Sequence, residues 1–337
     1  MGSTARNVGA FQTSKSKRRY FVALAGLAAL ALLFTAGLLA YGNPVEFGTR
    51  AYWLIAERRM DAVTAMAVVA VCQGVATVAF QTVTGNRILT PSIMGFESLY
   101  VVINTATVYF LGATGLLSAR TLEMFVLQLA LMVGLSLLLY TWLLADNAAN
   151  LHAMLLVGIV IGGGLASVST FMQRMLTPSE FDVLSARLFG SVNNANPDFY
   201  PVAIPLVVVA VTLVMLNSRR LNVLSLGRDV AVNLGVSFRK HAIYTLVLVS
   251  VLMAVSTALV GPMTFLGFLV ATLAYQFTDT YDHRYIFPMA ILLGYVVLTG
   301  AYFIMNHVFY AQGVVSIIIE LVGGITFLVV VLRKGRM

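Results

Sequence analysis

Charge is scarce in this chain: only 10% of its 337 residues are Asp, Glu, Lys or Arg, where a soluble domain carries about 25%. Cysteine is scarcer still. A single one, Cys72, sits inside an apolar run, which excludes an intrachain disulfide and a cysteine metal cluster and leaves it as a small core residue. The four histidines (His152, His241, His283, His307) lie scattered at the ends of apolar runs without ligand spacing, so no bound metal is expected. There is no G-x-x-x-x-G-K-[ST] phosphate loop, so the chain is not expected to hydrolyse ATP. H-E-x-x-H and G-x-S-x-G are also missing, which removes support for a zinc protease or serine hydrolase. No A-x-A-like site follows the first apolar run, Phe21–Ala40, so no cleavable signal peptide is expected.

What fills the chain instead is apolar: 60% hydrophobic residues and a mean hydropathy of +0.91. The reading is an all-α polytopic membrane protein. Given ~20 residues per span, or ~17 at the short end, ten stretches can cross a bilayer: 20–40, 60–80, 92–111, 121–144, 152–173, 199–217, 241–260, 262–278, 286–306 and 314–332. Proline and glycine interrupt the third and eighth at their starts (Pro91, Gly95; Pro262, Gly267), as in broken helices that line a cavity or pack inside protein. Residues 1–19 read as a basic, disordered cytoplasmic tail.

With both termini inside, 15 of the 21 lysines and arginines fall on the inner segments. That asymmetry fixes the orientation, and basic flanks at both ends require an even number of spans. The net charge of +8 therefore marks membrane edges rather than a nucleic-acid surface. One inner segment, 221–240 (LNVLSLGRDVAVNLGVSFRK), is polar and basic. Val223, Leu226, Val230 and Leu234 recur at helical spacing, with Ser225 placed to cap the start and Gly235 to end the helix left-handed. Such an amphipathic helix suits either a soluble partner or the lipid headgroups.

Gln81–Tyr100 (QTVTGNRILTPSIMGFESLY) carries the residues of a known pattern. Gln81, Asn86, Leu89, Pro91 and Gly95 follow the Q-x₄-N-x-L-x-x-P-x-x-[LM]-G signature, with one extra residue, Ile88, between Asn and Leu. Leu224, Leu226, Gly227, Ala231, Leu234 and Gly235 match L-x-L-G-x-x-x-A-x-x-L-G; Gly261–Leu269 matches a GPIxFVGL turn, and Asp282–Pro288 a DHRxxLP loop. In this order they make the chain similar to the FecCD-type permeases, membrane subunits of ATP-binding-cassette importers for iron–siderophores, haem and cobalamin. NRILTPSIMGF is closest to the siderophore branch. Ala271 and Thr272 stand where the family commonly has Pro-His, and only Arg59 survives of its R-x-P-R segment.

The resemblance implies a type II importer architecture in a bacterial cytoplasmic membrane, with no cofactor on this chain and ATP used by a partner ATPase. It implies a second permease chain, two ATPase subunits and an external siderophore-binding protein as partners. Leu224, Leu226, Gly227, Arg228, Ala231, Leu234 and Gly235 become the ATPase-coupling residues. Arg59, with its neighbour Arg58 and Arg50, becomes the docking set for the binding protein. Gln81, Asn86, Pro91, Gly95, Met172, Met175, Arg187 and Phe189 are pathway or gate candidates, the last two on a short outer helix expected within 178–196. Gly158, Gly162, Ala166 and Thr170 form a small-residue face read as packing within the subunit. Glu320, a charge inside a span, is a functional candidate by its cost alone. Haem or cobalamin transport and a proton-coupled transporter are the rival readings.

Overall fold

The computed structural model describes residues 9–118, 121–143, 151–308 and 315–334, and every regular element among them is helical. In chain order these are α1 Ser14–Ala40, α2 Arg50–Thr84, α3 Phe96–Ser118, α4 Leu122–Leu143, α5 Leu151–Arg174, α6 Pro178–Leu188, α7 Tyr200–Leu216, α8 Ser218–Leu224, α9 Arg228–Asn233, α10 Phe238–Val260, α11 Leu266–Phe277, α12 His283–His307 and α13 Val315–Lys334. Seven (α1, α2, α3, α5, α7, α10, α12) are long and apolar enough to cross a membrane, while α4, α11 and α13 carry shorter apolar stretches. These ten helices fall on the ten apolar stretches in order.

The expected span over 262–278 is a half-helix. At 12 residues, α11 is about 18 Å long, short of a ~30 Å hydrocarbon core. Gly261 (φ 91°) turns the chain out of α10, and residues 261–265 stay irregular. The other expected break behaves alike: Pro91 opens a 3₁₀ turn, Pro91–Met94, and Gly95 (φ 93°) restarts the chain as α3. In each case proline withholds an amide and glycine takes a left-handed backbone that other residues resist.

The core is built around α2. Its most apolar window is 83% buried, against 11% for α1, so α2 is apolar all round and α1 is peripheral. α2 packs on α10, α12, α11 and α7; Cys72 lies at its centre, fully buried. Glycine allows the closest approach: a Cβ on Gly74 would stand 3.1 Å from the Ala290 carbonyl carbon, and one on Gly294 would stand 3.3 Å from Ala70. The α2 helix starts at Arg50, ten residues before the expected span, because Thr49 accepts from the Tyr52 amide (3.2 Å) and caps a polar, helix-forming first third.

The N-terminal segment differs from expectation. Residues 1–8 lie outside the described residues, but 14–19 are helical, with Thr13 capping α1 through the Ser16 amide (3.1 Å). Phe11 is buried between Tyr20 and Tyr285, at 5.4 and 4.8 Å between ring centres. The Ser16 hydroxyl donates to Asp279 (2.7 Å), and the Thr280 hydroxyl donates to the Ala10 carbonyl. An aromatic anchor and two hydrogen bonds thus offset the ordering cost that a purely polar tail would not meet.

Candidate functional site

The basic segment after α7 folds as two short helices rather than one. Gly227 (φ 94°) breaks it into α8 and α9, and Gly235 (φ 77°) ends α9 in the expected left-handed turn. Ser225 does not cap a helix start: it closes α8, its hydroxyl donating to the Asn222 carbonyl (2.7 Å). The break divides the expected coupling residues. Leu224 and Ala231 are buried and pin the helices to the bundle. Gly227, Arg228 and Gly235 are exposed, and Leu226, Val230, Val232 and Leu234 present 44–59% of their surface. Apolar side chains grouped this way on a connecting segment form a patch of the sort that covers a partner or a membrane surface.

Beneath the patch, Asn222 joins α8 to the loop before α12. Its Nδ2 donates to Asp282 Oδ1 (3.1 Å), and its Oδ1 accepts from the His283 amide (3.0 Å) and stands against His283 Nδ1. An amide oxygen only accepts, so the imidazole carries its proton on Nδ1 and Nε2 is left as an acceptor. The hydroxyl of Thr82, at the end of α2, stands 2.6 Å from that Nε2 and 2.9 Å from the Val78 carbonyl, so its one proton serves two acceptors in turn. Asp282 also accepts from the Arg284 amide (3.1 Å) and pairs with its guanidinium (2.6 Å). Burial alone would raise this carboxyl, but the bonds from Arg284 and Asn222 outweigh it and hold the pKa at about 2. A cavity of about 810 Å³ opens beside this junction, lined among others by Gln81, Arg87, Tyr275 and Thr278.

Gln81 shapes that end of α2: its Nε2 donates to the Arg87 carbonyl (2.7 Å) and folds back the loop. Asn86 braces the same loop, accepting from the Ile88 amide (3.0 Å), and the Arg87 guanidinium lies 4.4 Å from the Tyr275 ring centre. Pro91 and Gly95 are buried, Gly95 against Gly162 and Gly158 of α5. The small-residue face of α5 therefore packs inside the subunit at its first half, while Ala166 and Thr170 are exposed.

At the opposite end of α2 the arginines separate. Arg59 is engaged: its guanidinium donates to the carbonyls of Leu38 (3.1 Å), Leu39 (3.4 Å), Tyr41 (2.9 Å) and Gly42 (3.1 Å). Those are the orphan acceptors at the end of α1, where a cation also meets the negative end of the helix dipole. Arg50 and Arg58 are exposed, and Arg58 lines a cavity of about 760 Å³ with Asn193, Tyr302, Asn306 and His307.

The expected short outer helix is α6. Its capping box closes on Glu180, which accepts from the Thr177 amide (3.0 Å) and hydroxyl (2.8 Å) and is held below the usual carboxylate range by them. Past α6, Phe189 is half exposed, and Arg187 donates to the Asn194 carbonyl (3.3 Å). The chain then meets the broken eighth segment: the Ser191 amide donates to the Val260 carbonyl (2.8 Å), and Gly190 packs against Gly261 and Pro262. Of the two methionines, Met172 is buried and Met175 is exposed. Glu320 is only partly buried. Its charge is felt by the carboxyl of Glu97, at the start of α3. Glu97 in turn accepts from the Thr264 hydroxyl (2.6 Å).

Comparison with known proteins adds the following. Residues 12–333 match the model of the FecCD transport family. The petrobactin import system permease protein FatC of Bacillus anthracis is 55% identical over 98% of this chain and 93% of its own length. The petrobactin import system permease protein YclO of Bacillus subtilis (strain 168) is 37% identical over 83% of this chain and 89% of its own. A solved metal-chelate type ABC transporter, in an inward-facing conformation, superposes with a TM-score of 0.76 and 21% identity, covering 93% of this chain and 99% of that one.

Proposed function

The chain belongs to the FecCD transport family, and from that membership we propose that it is the membrane permease of an ATP-binding-cassette importer for a ferric siderophore of the petrobactin kind. The 55% identity to a petrobactin import permease along nearly the whole chain carries the substrate class. Ten apolar segments carry the chain across the bacterial cytoplasmic membrane, the eighth as the irregular stretch 261–265 followed by α11, with both termini inside. Residues 20–337 form the permease domain, behind the basic segment 1–19.

The apolar patch of Leu226, Val230, Val232 and Leu234 is the surface that receives a separate cytoplasmic ATPase, one for each of two permease chains. Leu224 and Ala231 hold that surface in place from below. ATP is bound and hydrolysed by that partner, and no cofactor resides here. Arg50 and Arg58 meet the external binding protein, while Arg59 fixes the end of α1 beside them. α6 and the loop after it, packed on the 261–264 turn, close the outer end of the pathway; the hydrogen bond from Ser191 to Val260 ties that loop to the end of α10. Closure of the ATPase pair then switches the spans between two packed arrangements.

Reconstitution in liposomes tests this. With the second permease, the ATPase and the binding protein, labelled ferric siderophore is taken up only when ATP is supplied. Uptake that ignored ATP and collapsed with the proton gradient would assign the function to a proton-coupled transporter, with the Glu97–Glu320 pair as its first suspect.

A further inference from the structure

The coupling patch lies on α9 and the turns that flank it, directly after α8, and its movement is passed on through α8. α8 meets both α2 and α12, and the polar bonds joining the three elements run through Asn222. It holds the α12 cap through Asp282 and His283, and His283 passes the link to Thr82 in the last turn of α2. Thr82, Asp282 and His283 are at most 9% exposed and Asn222 is half-buried beside the cavity, so these bonds are partly shielded from water. Above the junction α2 and α12 are locked backbone to backbone at Gly74–Ala290 and at Gly294–Ala70. A push at their shared base moves them as one rod. From Thr82 to Arg58, α2 runs 24 residues, about 36 Å, ending at the exposed arginines of the outer face.

We propose that Asn222, His283 and Thr82 form the strut through which the coupling segment drives the α2–α12 pair. In this way one bonded junction ties the ATPase surface to the binding-protein surface. The three are positioning residues: none touches ATP or the chelate. The bonds act together, because the Asn222 acceptor holds the imidazole with Nε2 free to draw the Thr82 proton from its alternative acceptor, the Val78 carbonyl. The proposal rests on the reading of 221–240 as the ATPase-coupling segment.

The test uses the complete complex in liposomes and reads siderophore taken up per ATP hydrolysed. Asn222→Ala and Thr82→Val are each expected to lower that ratio about tenfold, within the range of ordinary coupling energies. Thr82→Ser, which keeps the hydroxyl, is expected to retain it. Thr82→Val preserves shape, so it decides the matter even if Asn222→Ala assembles poorly. An unchanged ratio in Thr82→Val overturns the strut, as does an uptake loss that merely follows the amount of assembled complex. A wild-type complex that took up siderophore without hydrolysing ATP would instead overturn the coupling reading, and the strut with it.

Discussion

Gly95 and Gly162 meet backbone to backbone: a Cβ on Gly162 would stand 3.0 Å from the Gly95 Cα, and one on Gly95 would stand 3.2 Å from the Gly162 Cα. The contact fixes the broken start of α3 against the middle of α5. Gly95 is doubly constrained, since its φ of 93° resists any side chain. Gly162→Val is therefore expected to loosen the α3–α5 pair, with a destabilisation of roughly 1–3 kcal/mol from overpacking. Gly163→Ala, one residue along, meets nothing within 4 Å and is expected to leave stability unchanged or slightly raised. Thermal unfolding of the two variants in detergent checks the contrast.

The arginines at the outer end of α2 should separate in the same kind of experiment. Arg59→Ala leaves four carbonyls without their donor and is expected to cost roughly 1–3 kcal/mol of stability. Arg58→Ala is expected to leave stability intact while weakening binding-protein association and flattening its dependence on salt. Association measured at two ionic strengths, beside unfolding of each variant, distinguishes the two roles. Equal behaviour of both variants would refute the division.

On the inner face, Leu226→Ser combined with Leu234→Ser should reduce ATPase retention during purification. Each exposed leucine can contribute about 1–2 kcal/mol if covered by a partner. Ala231→Leu is a different experiment, because Ala231 is fully buried under α9. It should destabilise the two-helix segment itself, visible as protease sensitivity near residue 231. Undiminished ATPase retention in the double variant would remove the patch as the docking surface.

Asp282 gives the segment a pH dependence. Its carboxyl is lowered to about 2 from an ordinary 3.8, so the charged form is favoured in the folded chain. Its contribution is complete above about pH 4 and is lost as pH falls toward 2. The wild type should exceed Asp282→Asn in stability by roughly 1 kcal/mol near neutrality, after allowance for solvent screening. The two unfolding curves should converge as pH drops through that window.

A packing prediction concerns α11. A Cβ on Gly267 would fall 2.2 Å from the Thr77 hydroxyl oxygen and 3.0 Å from Gln73 Oε1. Gly267→Ala should therefore shift α11 off α2 and reduce the yield of folded protein, and Thr77→Ala in the same chain should restore part of it.

Local features were readable from the residues alone. Hydropathy marked the ten apolar helices, and Pro91, Gly95 and Pro262 marked the broken starts, because each signal lies within a few residues of its effect; Gly267, expected to interrupt the eighth segment, is instead a helical contact of α11 with α2, and the turn falls at Gly261. Gly235 was readable for the same reason. Other features depended on which helices become neighbours. Nothing near Arg59 announces that it reaches carbonyls 17–21 residues earlier; that needs the angle between α1 and α2. The 221–240 segment was misread as one helix because Gly227 fits an α-helical pattern as a mere weak point, whereas its left-handed backbone makes it a break. Once the helix splits, Ala231 turns inward. Asn222 drew no notice because its partners lie 60 and 61 residues away. Nothing near Glu320 announces Glu97, which precedes it by most of the chain's length.

The bond from Ser16 to Asp279 closes a loop of 263 residues, and the Tyr20 hydroxyl donates to the Tyr285 carbonyl 265 residues on (3.0 Å). During synthesis, which proceeds from the N-terminus, Phe11 and the start of α1 emerge first yet wait for nearly the last helices before their anchors exist. The first helix is held at its far end by Arg59 of α2 long before its near end is fastened. A nascent chain interrupted before residue 285 would expose that aromatic segment unclasped, a ready mark by which quality-control proteases could tell unfinished permeases from finished ones.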